Sequence, residues 1–110
     1  MTIYVIETWV LRPEKQVEFY LVYVEKWKKL IKEKPELFEE IKSWNGYEAI
    51  FGTTHSGMNL QEYETMADLE KSMKKLKSEP VVRELFSELW TYLLPGSHRE
   101  EIWRSVAKLK

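Results

Sequence analysis

The segment IYVIETWVL, residues 3–11, decides the fold, because its β-branched and aromatic residues predict a strand that is apolar on both faces. One face carries Ile3, Val5, Glu7, Trp9 and Leu11, and the other carries Tyr4, Ile6, Thr8 and Val10. A strand with one face in water has a polar residue at nearly every second position. The helices of a domain this small normally cover only one face of its sheet. We therefore expect the other face of this strand to pair with another subunit.

The next segment predicts a helix that is apolar around more than one side. Pro13 suits the first helical turn, and Pro35 ends the helix near Lys34. Spacings of three and four residues define a main stripe of Val17, Tyr20, Leu21, Val24, Trp27 and Ile31. A flanking stripe consists of Phe19, Val22, Tyr23 and Leu30. So wide an apolar surface indicates contacts beyond the domain's own sheet.

The middle of the chain predicts a β-hairpin. Residues 36–46 are ambiguous, with a helical turn followed by an irregular approach that ends at the turn signal Asn45-Gly46. Strands are predicted at residues 47–54 and 58–65. The segment His55-Ser56-Gly57 joins them and is short enough for a hairpin.

The last third predicts two helical stretches and a closing strand. Thr65 and Asp68 have the spacing of a capping box, so a helix begins there, with Met66, Leu69, Met73 and Leu76 on its buried side. Pro80 restarts the helix after a break at Ser78. The clearest amphipathic pattern follows, in Val82, Leu85, Phe86, Leu89, Trp90 and Leu93. Residues 101–109 then predict the last strand, after a stop at Pro95-Gly96.

The order of strand, helix, strand, strand, helix, strand predicts one α+β domain, residues 1–110, with a ferredoxin-like antiparallel sheet and both helices on one face. In this arrangement we expect the first and last strands not to be direct neighbours. The face without helices leaves half of the first strand uncovered. Two such sheets packed face to face about a two-fold axis would cover it, which predicts a homodimer and leaves a higher oligomer open.

Composition excludes several classes of function. The net charge of −1, with both signs scattered along the helices, offers no basic surface to nucleic acid or to an anionic membrane. The chain has no cysteine, no apolar stretch of membrane-spanning length and no motif that implies a cofactor. The opening MTIYVIETWV lacks the basic start of a signal peptide, so we expect a cytoplasmic protein. Abundant Lys and Glu with few Asn and Gln are typical of heat-adapted proteins.

Four segments carry a resemblance to known proteins. ETWVLRPEKQVEFY (7–20) reads as a strand, a Pro turn and an acidic-aromatic helix start, and GTTHSGMNLQEYETMADLEKSM (52–73) as a hairpin and a capped helix. SEP (78–80) and LLPG (93–96) place a Pro before and after the last helix. In these features the chain resembles the dimeric α/β barrel superfamily, and within it the NIPSNAP-type and antibiotic-monooxygenase-type domains. The resemblance covers most of the chain and implies that two sheets form an α/β barrel.

The resemblance implies no single reaction. The superfamily includes cofactor-free oxygenases, haem-degrading enzymes, isomerases and many domains with no known activity, and a shared fold does not define function. The haem-degrading members use an Asn, a Trp and a His together. Asn59, Trp44 or Trp103, and His55 are residues of these types, but none occupies a position that matches the motif. We therefore do not carry that activity over.

The candidate catalytic residues are His55, Glu7, Glu62 and Arg104. His55 lies at the predicted hairpin turn, where an imidazole can act as a base, although its polar neighbours favour a plain exposed turn. Glu62 could supply a carboxylate near it, but no metal-binding spacing is present. Glu7 and Arg104 interrupt apolar strands; they either face a ligand or, as we favour, form an ion pair or an edge charge. His98 is interpreted as a loop residue.

The candidate ligand-binding residues are Trp9, Tyr63 and Trp103, which could line a pocket for a flat hydrophobic molecule. Aromatic residues at strand spacing more often belong to a core or a dimer interface. Two hypotheses remain. One is a non-catalytic oligomeric or ligand-binding module, and the other is a cofactor-independent enzyme, monooxygenase-like or isomerase-like, acting on an aromatic or hydrophobic ligand. The first is favoured, because an active site needs convergent polar groups and this sequence offers only scattered ones.

Overall fold

A computed structural model describes residues 2–110, which form an antiparallel sheet with helices on one side. The strands and α-helices are, in chain order, β1 (Ile3–Val10), α1 (Gln16–Glu18), α2 (Val24–Glu33), β2 (Ile41–Glu48), β3 (Ser56–Tyr63), α3 (Met66–Lys77), α4 (Pro80–Leu89) and β4 (Arg99–Arg104). This is the predicted α+β class, and the predicted start of α3 is confirmed, because the Thr65 hydroxyl accepts a hydrogen bond from the Asp68 amide at 3.1 Å.

The first helical segment, residues 13–33, is continuous but not uniform. A 3-10 turn at Pro13–Lys15 opens it, with the proline in the first turn as predicted. A π-helical turn at Phe19–Tyr23 then separates α1 from α2. A short 3-10 helix at Pro35–Phe38 follows the segment and leads into β2.

The π-turn decides which residues of this segment face the sheet. Because it holds more residues than an α-helical turn, it rotates the side chains before it relative to those after it. At the start of the predicted main stripe, Val17 and Leu21 are 70% and 69% exposed, so they do not pack on the chain's own sheet. Of the predicted flanking stripe, Phe19 and Tyr23 are buried in the core, whereas Val22 is 43% exposed.

The sheet has the strand order β2-β3-β1-β4, with every pair antiparallel. The expectation that the first and last strands are not neighbours is wrong, because β1 pairs with β4 along its length. The crossover through α3 and α4 carries the chain over β1, so β4 adds to the free side of β1 rather than to the edge at β2. Strand β1 is thus central and has a partner on each side.

The hairpin lies earlier in the sequence than predicted. Strand β2 covers residues 41–48, which include most of the segment that the sequence left ambiguous, and the turn occupies residues 49–55. The register shifts between Ile41 and Ser43, where a bulge interrupts the pairing with β3. The last strand is also shorter than predicted, since β4 ends at Arg104 and residues 105–110 continue without a strand partner.

The two faces of the sheet differ in what covers them. Ile3, Val5 and Leu11 of the β1 region face the helices and are buried. The opposite face, which we call the bare face, carries Tyr4, Ile6 and Thr8 with their cross-strand partners, such as Leu60 and Trp103. No helix covers this face among the described residues, and its residues are only half-buried or exposed.

Candidate functional site

Glu7, in the middle of β1, is the centre of a polar arrangement on the helix-facing side of the sheet. Its Oε2 lies 2.8 Å from Nε2 of His98, which belongs to the loop just before β4. Because a carboxylate only accepts, His98 donates its Nε2–H to Glu7. The Glu7 and His98 side chains are 18% and 19% exposed, so the pair is mostly buried but reachable from solvent.

Asn59 and Trp44 extend this arrangement across the sheet. Asn59 stands opposite Glu7 on β3 and donates from Nδ2 to Glu7 Oε1 at 3.4 Å. Its Oδ1 in turn accepts a hydrogen bond from the Trp44 indole on β2. We call Trp44, Asn59, Glu7 and His98 the polar cluster. It links β2, β3 and β1 to the loop before β4 in one line of hydrogen bonds.

The polar cluster occupies the seam between two apolar cores. One core contains Ile3, Val5 and Tyr63 with Leu69 of α3. The other contains Leu11 and a larger set from the first helical segment, α4 and the segment after it. Glu7 lies between them in sequence, two positions after Val5 and four positions before Leu11. A buried polar group costs stability unless it is hydrogen-bonded, and here each carboxylate oxygen has a donor.

Aromatic rings border the polar cluster. The Trp90 ring meets the His98 ring edge-on, with centroids 4.8 Å apart and an interplanar angle of 76°. On the other side, Trp44 packs against Trp27 at 5.1 Å, and Trp27 against Phe86 at 5.6 Å. Trp90 is 55% exposed, which is unusual for so large an aromatic side chain. These rings offer flat apolar surfaces beside hydrogen-bonding groups.

The tautomer that Glu7 imposes defines what His98 can do. In a neutral imidazole whose Nε2–H is given to the carboxylate, Nδ1 keeps its lone pair and is the ring nitrogen left for a ligand. Among the described residues, His98 makes its side-chain hydrogen bond only through Nε2. A carboxylate that fixes an imidazole in this way is the arrangement that orients a histidine as a base. The polar cluster can therefore accept a proton from a bound molecule.

Two of the predicted residues lie near the polar cluster without joining it. Trp9 shares the helix-facing side with Glu7 and packs against Phe19 at 5.9 Å, and its indole nitrogen is buried without an acceptor among the described residues. Tyr63 is 1% exposed, and its hydroxyl donates to Gln61 at 3.0 Å. Burial raises the pKa of Tyr63; a hydrogen bond to Ser72 partly offsets this rise, and nearby carboxylates add to it.

The remaining predicted residues lie elsewhere. Glu62 and Trp103 both stand beside Tyr4 on the bare face. Arg104 is opposite Ile3 at the far end of β4, so an ion pair between Glu7 and Arg104, which was one of the alternatives, does not form. His55 lies in the β2–β3 turn. Of the predicted site residues, only Glu7 belongs to the polar cluster, and its three partners there were not predicted as site residues. The roles of His55, Glu62, Arg104 and the aromatic candidates stay predictions.

One groove on the molecule lies apart from the polar cluster. It has a volume of about 630 Å³ and lies on the bare face, where Arg99, Thr8, Met58 and Tyr47 form one row across all four strands. Within residues 2–110 no group of three His, Cys, Asp or Glu side chains is placed to hold a metal ion. No helix in that range is long and apolar enough to cross a membrane.

Solved structures from three organisms share this fold. A conserved protein from Methanosarcina mazei Go1 is 20% identical, with a TM-score of 0.71 over 96% of this chain and 94% of that chain. A NIPSNAP family protein from Agrobacterium tumefaciens is 15% identical, with a TM-score of 0.72 over the same shares. A Caulobacter crescentus protein assigned to the antibiotic biosynthesis monooxygenases is 16% identical, with a TM-score of 0.71 over 96% and 91%. No family model and no curated protein matches the chain.

These likenesses confirm the ferredoxin-like fold and the resemblance to NIPSNAP-type and antibiotic-monooxygenase-type structures. At such identities they establish the fold alone, because one fold carries many unrelated functions. What the chain does must be argued from its own residues.

Proposed function

We propose that this chain is a homodimeric ligand-binding domain whose polar cluster binds a small, flat, hydrophobic molecule that carries a hydroxyl group. The observation that carries the proposal is the unbroken line of hydrogen bonds from Trp44 through Asn59 and Glu7 to His98. Apolar side chains would fill the seam between two cores more cheaply than these four. Convergent polar groups at a partly exposed seam with aromatic borders are typical of small-molecule sites.

The geometry of the polar cluster selects the chemistry of the ligand. The one hydrogen-bonding group of His98 that is left free is the Nδ1 lone pair, and the ligand must donate a hydrogen bond to it. Trp90 presents exposed ring surface beside the His98 imidazole. A flat molecule with one hydroxyl group therefore matches both features, whereas a purely apolar molecule leaves Nδ1 without a partner.

Naphthol and its methyl ether test this proposal, because they differ only in the hydroxyl proton. We expect naphthol to bind more tightly in calorimetric titrations, and the change His98→Gln to weaken its binding about tenfold. His55→Gln is the matched control and should leave the affinity unchanged, since His55 lies in the turn. Equal binding of naphthol and the ether would contradict the proposed role of Nδ1.

A second candidate function is proton-transfer catalysis, which the 2.8 Å contact between Glu7 and His98 favours. A base held in one tautomer can remove a proton from a ligand carbon or oxygen and return it elsewhere. Isomerisation needs this step, and so does a cofactor-independent monooxygenase that first forms the ligand anion. In this function Nδ1 of His98 takes the proton, and Glu7 stabilises the imidazolium that results.

Hydrogen exchange separates this enzyme from the binding domain. The protein would accelerate the replacement of the α-hydrogens of tetralone by deuterium in D2O, followed by proton NMR. Glu7→Gln keeps the imidazole but removes the carboxylate, so it should lower the acceleration about a hundredfold while naphthol still binds. If the wild-type protein gives no acceleration over buffer, the enzyme hypothesis fails and the binding domain stands.

The bare face supports the proposed homodimer. Ile6 and Leu60 lie opposite each other at its centre, and Tyr47 and Trp103 remain 48% and 55% exposed at its two sides. Glu101, Glu62 and Asn45 flank these apolar residues on the same face. An apolar centre with a polar rim is typical of an interface between subunits. A second copy related by a two-fold axis would bring the same surface against itself, so every apolar residue on it would gain a partner.

The mass in solution tests the homodimer. We expect a dimer by light scattering at micromolar concentration, and a monomer for Leu60→Glu, because the change buries a charge in the interface. Met66→Glu is the control: Met66 is 42% exposed at the start of α3, away from the bare face, and the variant should stay dimeric. A wild-type protein that is strictly monomeric would overturn the assembly while leaving the polar cluster untouched.

A further inference from the structure

A second, smaller groove lies between the β2–β3 turn and the start of the first helical segment. Its volume is about 290 Å³, and its polar lining includes Gln16, Tyr20, Glu48 and His55. We call it the turn groove. Ile50, at the tip of the turn, also lines it and is 90% exposed, and the adjacent Phe51 is 94% exposed. Two consecutive apolar side chains in water are costly, so they point to a missing contact.

The backbone holds His55 in an uncommon conformation beside the turn groove. Its φ of 63° is the only positive value at a non-glycine residue in the described part of the chain. Histidine tolerates the left-handed region better than most residues, but such positions still cluster at binding sites. The His55 carbonyl accepts from the Leu11 amide at 2.9 Å, and the Ser56 amide donates to the Thr53 carbonyl at 3.2 Å. These bonds hold the backbone at His55, whose half-buried side chain lines the groove.

The charge in the turn groove is negative. Glu48 is the only Asp, Glu, Lys or Arg residue that lines it, and none of residues 2–110 forms an ion pair with Glu48. Burial raises the pKa of Tyr20, and the charge of Glu48 together with a hydrogen bond to it adds to the rise. The Tyr20 side chain therefore lies close to the Glu48 carboxylate in the lining of the groove.

From this arrangement we propose that the turn groove binds a hydrophobic primary amine. The ammonium group lies against the Glu48 carboxylate and beside the Tyr20 ring, which attracts a cation through its face. The Gln16 amide oxygen can accept a further ammonium hydrogen. The apolar part of the ligand lies against Ile50, which lines the groove, and it supplies the contact that this side chain lacks.

The turn groove is distinct from the polar cluster. Glu48 pairs with Gly57 on β3, whereas Glu7 pairs with Asn59, two residues further along the same strand. The Trp9 ring lies over Gly57 and fills the space between the two sites. The chemistry also differs, because the polar cluster offers a lone pair to a hydroxyl group and the turn groove offers a carboxylate to a cation.

Phenethylamine and phenylethanol test the proposal, since they share the ring and the linker and differ in the charged group. We expect phenethylamine to bind about tenfold more tightly than the alcohol in calorimetric titrations. Glu48→Gln should reduce the affinity for phenethylamine to that for the alcohol. Glu39→Gln removes an exposed carboxylate outside the groove and should change nothing.

Two further variants test whether changes in phenethylamine affinity come from the turn groove itself. His55→Gly keeps a backbone that reaches positive φ and removes only the imidazole, so it should weaken phenethylamine binding without lowering the unfolding temperature. His98→Gln should leave phenethylamine binding intact, which keeps this proposal independent of the polar cluster. Equal affinity for amine and alcohol, or full affinity in Glu48→Gln, would overturn the proposal.

Discussion

Gly57 allows the Trp9 indole to lie directly on the backbone of β3. The two residues face each other in the register of β1 and β3. A Cβ atom at position 57 would stand 2.5 Å from Nε1 and 2.9 Å from Cε2 of Trp9. Such distances are far inside van der Waals contact, so the ring could not keep its place if residue 57 had a side chain.

Gly57→Ala should therefore lower the free energy of unfolding by about 1–3 kcal/mol, because Trp9 must leave its position against Phe19. Urea denaturation followed by circular dichroism measures the change. Gly46→Ala is the matched control, since Gly46 is also a strand residue and no atom lies within 4 Å of its added Cβ. That variant should be neutral or slightly stabilising, and equal losses in both would refute the packing argument.

At the level of single residues, the sequence predicts only part of the polar cluster. Glu7 stands out because a carboxylate interrupts an apolar strand, and the structure places it at the centre. His98 could not be found in this way, because it is 91 positions from Glu7 and has only polar loop neighbours. Its role depends on the pairing of β4 with β1, which sets Thr8 against Arg99 and so brings residue 98 beside Glu7. A correct strand order was the missing signal.

Among contacts between elements, the ion pair of Lys75 and Glu40 ties α3 to the start of β2. Lys75 Nζ lies 2.7 Å from Glu40 Oε1, and it also donates to the Glu36 carbonyl at 2.8 Å. The Glu40 side chain is only 7% exposed, so its charge depends on this partner. Removing one member of a buried pair leaves an uncompensated charge, which is costly.

Lys75→Met should lower the free energy of unfolding by about 1–3 kcal/mol, a value reduced from the fully buried case because Lys75 is partly in water. Lys42→Met is the control: its pair with Glu64 has a 3.9 Å separation between exposed side chains and should change stability by less than about 0.5 kcal/mol. Chemical denaturation of both variants gives the comparison. Similar losses would show that Glu40 does not rely on Lys75.

The sequence predicts the boundaries of helices and strands where local backbone chemistry sets them. It does not predict them where hydrogen bonding between strands sets them. Thr65 caps α3 and Pro80 begins α4 as the sequence indicates, because capping and proline act on the backbone locally. Strand β2 was misplaced because Asn45-Gly46 signals a turn but here lies within the strand, opposite Leu60 and Asn59. Conversely, Ile50 and Phe51 look like strand residues and form the turn. Pairing with β3 outweighs both local preferences.

Across the whole molecule, four tyrosines make stability depend on alkaline pH. Burial raises the pKa of Tyr23, Tyr63 and Tyr20, and burial together with a hydrogen bond to Glu88 raises the pKa of Tyr92 to about 12. In the unfolded chain a tyrosine has its ordinary pKa of about 10. The folded protein therefore holds more protons than the unfolded chain once the pH exceeds this value.

By linkage, this difference in bound protons makes folding less favourable as the pH rises. The contribution of the tyrosines to stability is fully present below about pH 10. It is lost as the pH rises through the pKa values of the folded protein, which for Tyr92 is about 12. We expect urea midpoints to fall steeply across that window, together with the appearance of tyrosinate absorbance. Lysines also lose their charge in this pH range, so Tyr92→Phe is compared with the wild type. The urea midpoint of the variant should fall less steeply with pH. An identical pH dependence in both proteins would mean that ionisation of the Tyr92 phenol is not coupled to folding.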